Sequence, residues 1–227
     1  MELKEGRFFI MKTKKLLFLS LLFCSCFLTS CSALLGYTAL YDISLASVEC
    51  PTNVKEQYGE TKVVKFEEEG TTKYTYEDNY IETIWYVGTK QFYFTLKNKS
   101  NHAIKINWDD ISYVDINGNV GRVMHSGVKY TDRNNSQPPT TIPRNAKISD
   151  ILLPTDNVYY ISGQYGGWKE SYLISSKYQT QEDFNNKAGD IVGKTLTIMM
   201  PIMIEGIQND YTFIFSVDNY RLMQYSF

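Results

Sequence analysis

Four cysteines and two histidines are the residues best able to bind a metal or attack a substrate: Cys24, Cys26, Cys31, Cys50, His102 and His125. Three of the thiols crowd into "LLFCSCFLTSC", residues 21–31, a density that in isolation fits a soft-metal or redox cluster. The histidines offer less. A catalytic zinc takes about three protein ligands, no H-E-x-x-H spacing exists, and Asp109 or Asp110 would have to complete a set by tertiary approach. "DINGN" places Asp115, Asn117 and Asn119 at the first, third and fifth positions of a calcium loop. However, Val120 stands where glycine is needed, Ser126 stands where the closing glutamate belongs, and the flanks read as strands. No G-x-S-x-G elbow holds a nucleophile, nothing brings Cys50 to a histidine, and no glycine loop cradles phosphate. The carboxylates of Asp109-Asp110 and Glu67 to Glu69 fall at turns, where solvation explains them. The expectation is a chain that is not an enzyme, with no cofactor and no metal.

The context of the clustered thiols gives them another meaning. After ten residues comes Met11, then the basic Lys12, Lys14 and Lys15, then the uncharged run "LLFLSLLFCSCFLTS". This is the basic and apolar layout of a secretory signal, with Met11 as the start and residues 1–10 as a gene-model extension. Leu28, Thr29, Ser30 and Cys31 resemble the lipobox of bacterial lipoproteins: aliphatic, small, small, cysteine. That resemblance implies cleavage between Ser30 and Cys31, a diacylglyceryl thioether on Cys31, and further acylation, for instance with palmitate, of the new amino terminus. Residues 1–30 are then signal, 31–39 a short tether and 40–227 one folded domain. Two other readings stay open: an uncleaved anchor over residues 16–35, long enough to span a bilayer, and export without lipid. Two acyl chains give stable anchoring, at roughly 0.8 kcal/mol per buried methylene.

Charge excludes one class of partner. The chain carries 23 basic and 25 acidic side chains. Five basic and two acidic ones lie in residues 1–30, which leaves 18 and 23, a net charge of minus five. Nucleic acid is not expected as a partner, because it needs clustered Lys and Arg. The membrane contact is expected through lipid rather than through a basic face. Ser32, rather than Asp, follows the lipidated cysteine, which favours a bacterial outer membrane over the cell membrane and a periplasm-facing domain. With Cys31 lipidated, Cys50 is left without an intramolecular partner, either as a small buried side chain or as an intermolecular thiol.

The mature chain reads as strands. Aromatic residues make up 15% of the full sequence, with 18 Tyr and 12 Phe against 6 Pro, a balance that suits pleated, half-buried surfaces. Alternation marks strands over residues 41–49, 61–66, 71–78, 80–87, 90–98, 146–154, 158–162, 170–175, 194–206 and 211–217, with Asn117-Gly118 as a hairpin turn. Pro201 predicts an edge or a bulge. Residues 131–145 read as loop, and one short helix is predicted after Thr180, over residues 181–188. "FYFTLKNKSNHAIKINWDDISYVDINGN", "TTIPRNAKISDILLP" and "IMMPIMIEG" with "YTFIF" resemble immunoglobulin-like domains of bacterial envelope lipoproteins. The resemblance implies a single all-β, antiparallel β-sandwich and carries no activity with it.

Binding is the class of function that remains. Trp85, Tyr86, Trp108, Tyr159, Tyr160, Tyr165 and Trp168 are candidates for an aromatic platform, against the alternative that most are core. Tyr165, Trp168, Trp108 and Trp85 are the candidate ligand-binding residues, with "QYGGW" (164–168) the foremost loop. The expected function is a non-catalytic, lipid-anchored protein of the cell envelope that binds or supports a protein or glycan component there. The alternative is a lipid-anchored enzyme acting on glycan or peptide, marked by a concave site holding His102 or His125 near carboxylates.

Overall fold

The computed structural model describes residues 36–50 and 59–223; the signal, Ser30 and Cys31 lie outside them. Among the described residues the chain is all-β and antiparallel with one short helix. A long first strand, β1 (Tyr37–Glu49), leads to the hairpin β2 (Lys62–Glu68) and β3 (Thr71–Glu77), then β4 (Ile81–Val87) and β5 (Phe92–Asn98). Three-residue strands follow as β6 (Ile104–Ile106) and β7 (Ser112–Val114), then β8 (Val120–Met124), β9 (Thr140–Ile142) and β10 (Lys147–Pro154). β11 (Val158–Ile161) and β12 (Gly167–Glu170) form a separate two-stranded sheet. β13 (Lys177–Tyr178), helix α1 (Gln181–Lys187), β14 (Thr195–Ile204) and β15 (Ile207–Leu222) complete the fold.

The large sheet runs β13-β1-β15-β14-β7-β8-β10-β5-β4-β3-β2, with β6 bridging β14 to β9. It folds over on itself, so that β3, β4 and β5 face β14 and β15. The inward side chains of β15, Tyr211, Phe213, Phe215 and Val217, alternate along the strand and are all buried. Trp85 of β4 meets Phe213 at 4.7 Å and Phe215 at 5.4 Å, and Phe92 meets Phe215 at 5.1 Å. The two layers are joined by a narrow neck, where β8 pairs with β10 through only Leu153↔Met124 and Pro154↔Val123. In place of two separate sheets there is one bent ladder.

Local chemistry explains the turns. Glu69-Gly70 and Glu205-Gly206 each have two successive positive φ angles, the geometry that matches the twist of a two-residue hairpin. They close β2–β3 and β14–β15 in register, Glu68↔Thr71 and Ile204↔Ile207. Thr180 caps α1 by accepting the Asp183 amide at 3.0 Å. The helix buries Phe184 and Ala188 against Ala39 at the start of β1.

Several expectations change. β1 begins at Tyr37, so residues 37–39, read as tether, already belong to a ladder, and Thr38 and Ala39 are buried. Residues 131–145 hold a 3-10 turn (Tyr130–Asp132) and β9. The strand expected at 170–175 stops at Glu170. Pro201 lies in a central strand, with β15 on one side. On the other side β7 pairs with Thr197 to Met199 and β6 with Ile202 to Ile204. Pro201 occupies the gap between them, where a missing amide donor costs no ladder bond.

Candidate interaction surface

The aromatic residues expected to form one platform separate into two groups. Trp85 and Trp108 are 0% and 1% exposed, which corrects their assignment to a binding surface. Trp85 stacks on Phe94 at 5.2 Å and donates its indole N–H to Thr83 Oγ1 at 3.0 Å. Trp108 lies flat against His125, 4.1 Å between centroids, and donates to Thr140 Oγ1. Both sit at inward positions of a closed core, where rings supply the largest apolar area.

Trp168, Tyr159, Tyr160 and Tyr165 come together on the β11–β12 hairpin. Tyr160 and Trp168 are direct cross-strand partners, meeting edge to face at 5.5 Å. Arg133 lies 5.1 Å from the Trp168 ring centre and Tyr130 packs on its edge. Trp168 is therefore the half-buried base of the hairpin. Tyr159 and Ile161 alternate with Tyr160 onto the opposite face, and these three and the loop residue Tyr165, 90% exposed, are open to solvent. Tyr86 and Tyr93 form a separate stacked pair on the outside of β4 and β5, at 5.2 Å.

The hairpin rises at one end of an open trough of about 710 Å³. Two contacts join them. The Leu173 amide donates to Thr89 O on the trough wall, and Lys90 pairs with Glu170 at the base of the hairpin at 3.4 Å. The trough is the place where the folded-over sheet fails to close: β1 forms one wall, and the β2–β3 turn with Tyr74 forms the other. Its charges balance, Lys65 and Arg221 against Asp42 and Asp218, and Arg221 Nη1 holds Asp42 Oδ1 at 2.5 Å. Burial, and after it the carboxylates of Asp218, Glu67 and Asp42, push the Tyr74 phenol upward. Sequence reasoning missed this feature, because its walls come from residues far apart in the chain.

The groups singled out for chemistry are engaged by their own surroundings. Asp115 accepts the amides of Asn117 and Asn119 at 2.8 Å each and the Asn119 side-chain amide at 2.9 Å, so the "DINGN" loop closes on itself. Asp109 takes the Ser136 hydroxyl, the Gln137 amide and Arg122, which together hold its carboxyl below the ordinary range. His125 Nδ1 lies 3.2 Å from Asp150 and the exposed His102 Nε2 lies 3.4 Å from Glu205; neither ring lines the trough. Among the described residues, no group of three His, Cys, Asp or Glu is placed to hold a metal ion.

One polar cluster escaped the sequence reading. Asp78, just past β3, is buried and accepts Tyr76 OH at 3.0 Å, Tyr211 OH at 2.9 Å and the amides of Tyr80 and Ile81 at 2.8 Å each. Cys50 Sγ lies 3.1 Å from Tyr76 OH. Burial pushes both the Asp78 carboxyl and the Cys50 thiol up, so this thiol is not an activated thiolate. The signal was present in outline: a tyrosine at an inward position of a strand needs a buried polar partner. Comparison with protein-family models, curated proteins and solved structures finds no match to this chain.

Proposed function

We propose that the chain is a non-catalytic lipoprotein of a bacterial envelope, anchored through lipid on Cys31, whose β domain binds another envelope component through the β11–β12 hairpin. The observation that carries the binding part is the exposure of Tyr159, Ile161 and Tyr165 on a hairpin whose Trp168 packs against Tyr130 and Arg133. Exposed apolar side chains on an ordered support have the character of an interaction site. The lipobox supplies the anchoring part, and the expected position is the periplasmic face of an outer membrane. The layers β3–β5 and β14–β15, packed through Trp85, support an immunoglobulin-like ancestry for the domain; the ladder that joins them through β7, β8 and β10 is its departure from that pattern.

Two outcomes follow. Cys31→Ala moves the protein from the membrane to the soluble fraction and abolishes labelling by an alkyne analogue of palmitate; labelling that persists in the variant excludes the anchor. A photo-crosslinking amino acid at position 165 captures a defined envelope partner in native membranes. The Tyr159→Ser, Ile161→Ser double variant lowers that capture at least tenfold while changing stability by about 1 kcal/mol or less, the sum of two surface substitutions. Equal capture from position 105, on β6, counts against the hairpin.

A second reading, a lipid-anchored enzyme acting on glycan or peptide, is favoured by the approach of each histidine to a carboxylate. Neutral replacement of both His102 and His125 without loss of function removes it.

A further inference from the structure

We infer that the outer edge of β1 at the trough accepts an added β-strand from an extended, uncharged peptide segment of a partner protein. The inference stands apart from lipid anchoring and from the hairpin.

The edge is open where it borders the trough. On its inner side β1 pairs with β15 along its length, from Ala39↔Leu222 to Glu49↔Thr212. On its outer side, among the described residues, its strand partner is β13, through Tyr37↔Tyr178 and Thr38↔Lys177 alone, and the Ala39 amide then donates to Ser176 O at 2.7 Å. From Leu40 onward the ladder direction is set, and no strand of the described residues continues it. The backbone groups turned outward there are a template for pairing.

The surroundings select the occupant. Folded proteins guard open edges with charge, proline or twist. The other open edge at this seam, β2, carries Lys62, Lys65, Glu67 and Glu68. β1 has Asp42 as its one charge before Glu49, and that charge is paired with Arg221. The seam is closed at one end by Cys50 against Tyr76 and splays open toward Thr38–Ile43, where the trough of about 710 Å³ lies beside the edge. That volume is in the range of a binding site. Its balanced charge disfavours a strongly acidic or basic ligand, while Ile43, Val87, Tyr74 and Tyr86 offer apolar and ring surface to alternate side chains of a strand. The pairing register of β1 shifts between Asp42 and Ile43, which limits the straight run and makes the added ladder short, about three to four residues.

The test selects binders from a random dodecapeptide library displayed on phage against the full chain, with counter-selection on Thr72→Trp, which fills the trough from its rim. Enriched peptides are then made in two forms, unmodified and N-methylated at alternate amides. The inference expects alternating apolar and polar sequences, at least tenfold slower amide exchange over residues 40–44 when the unmodified peptide binds, and at least tenfold weaker binding by the N-methylated form and by Thr72→Trp. Thermal unfolding of Thr72→Trp checks that it is folded; if it is not, Thr89→Trp takes its place. No enrichment over the counter-selection, indifference to N-methylation, or protection confined to residues outside β1 overturns the inference. So does binding of a soluble cello-oligosaccharide that protects the same residues in place of a peptide.

Discussion

Asp78→Ala is expected to lower stability by about 3–5 kcal/mol, because it removes at once the acceptor of two tyrosine hydroxyls and two backbone amides at a buried site. Tyr76 and Tyr211 come from facing layers, so the carboxylate also ties β3 to β15. In a domain of this size the loss lowers the melting temperature by about 6–20 °C, measurable by calorimetry or by far-ultraviolet circular dichroism. Asp78→Asn costs less, since its carbonyl still accepts the amides of Tyr80 and Ile81 and the hydroxyls can turn, Tyr76 toward Cys50. It also isolates a pH effect. Burial raises the folded carboxyl above its unfolded value, so the folded state binds the proton more tightly than the unfolded state. The contribution of Asp78 is therefore fully present below the unfolded value and is lost as pH rises through the raised folded value. The stability difference between wild type and Asp78→Asn falls with rising pH across that interval. A difference that grows with pH contradicts the assignment.

Trp85→Ala is expected to cost a further class of contact, about 3–5 kcal/mol. Trp85 touches Phe94 within its own layer and Phe213 and Phe215 across the core. Truncation leaves a cavity lined by Phe94, Phe213 and Phe215, rings fixed on their own strands, so the site collapses only in part. Denaturant unfolding monitored by circular dichroism tests this; a loss below 1 kcal/mol means that the layers do move together. Trp85→Phe keeps ring contact and falls between.

These two sites show which features the sequence could reveal. Alternation located most of the strands, because it is a local consequence of one face being buried. Asn117-Gly118 and the Thr180 cap were legible for the same reason: their hydrogen bonds close within a few residues. Burial of Trp85 and Trp108 was not legible from residue type, since a tryptophan on a strand serves a core or a surface equally well and only the opposing layer decides. Pro201 was misplaced because the sequence shows its missing amide but not the gap between β6 and β7 that absorbs it. The trough and the Asp78 cluster needed the long-range register of β1 with β15 and the packing of β3 across the core from β15, which no local pattern contains.

The pairing of β1 with β15 has a kinetic consequence. Asp42 and Arg221 meet across 179 positions, so among the described residues the first strand has its partner in the last. Long-range pairing of this kind slows folding. The domain cannot complete its main ladder until nearly the whole chain is available, and until then β1 remains an unpaired apolar strand at risk of association.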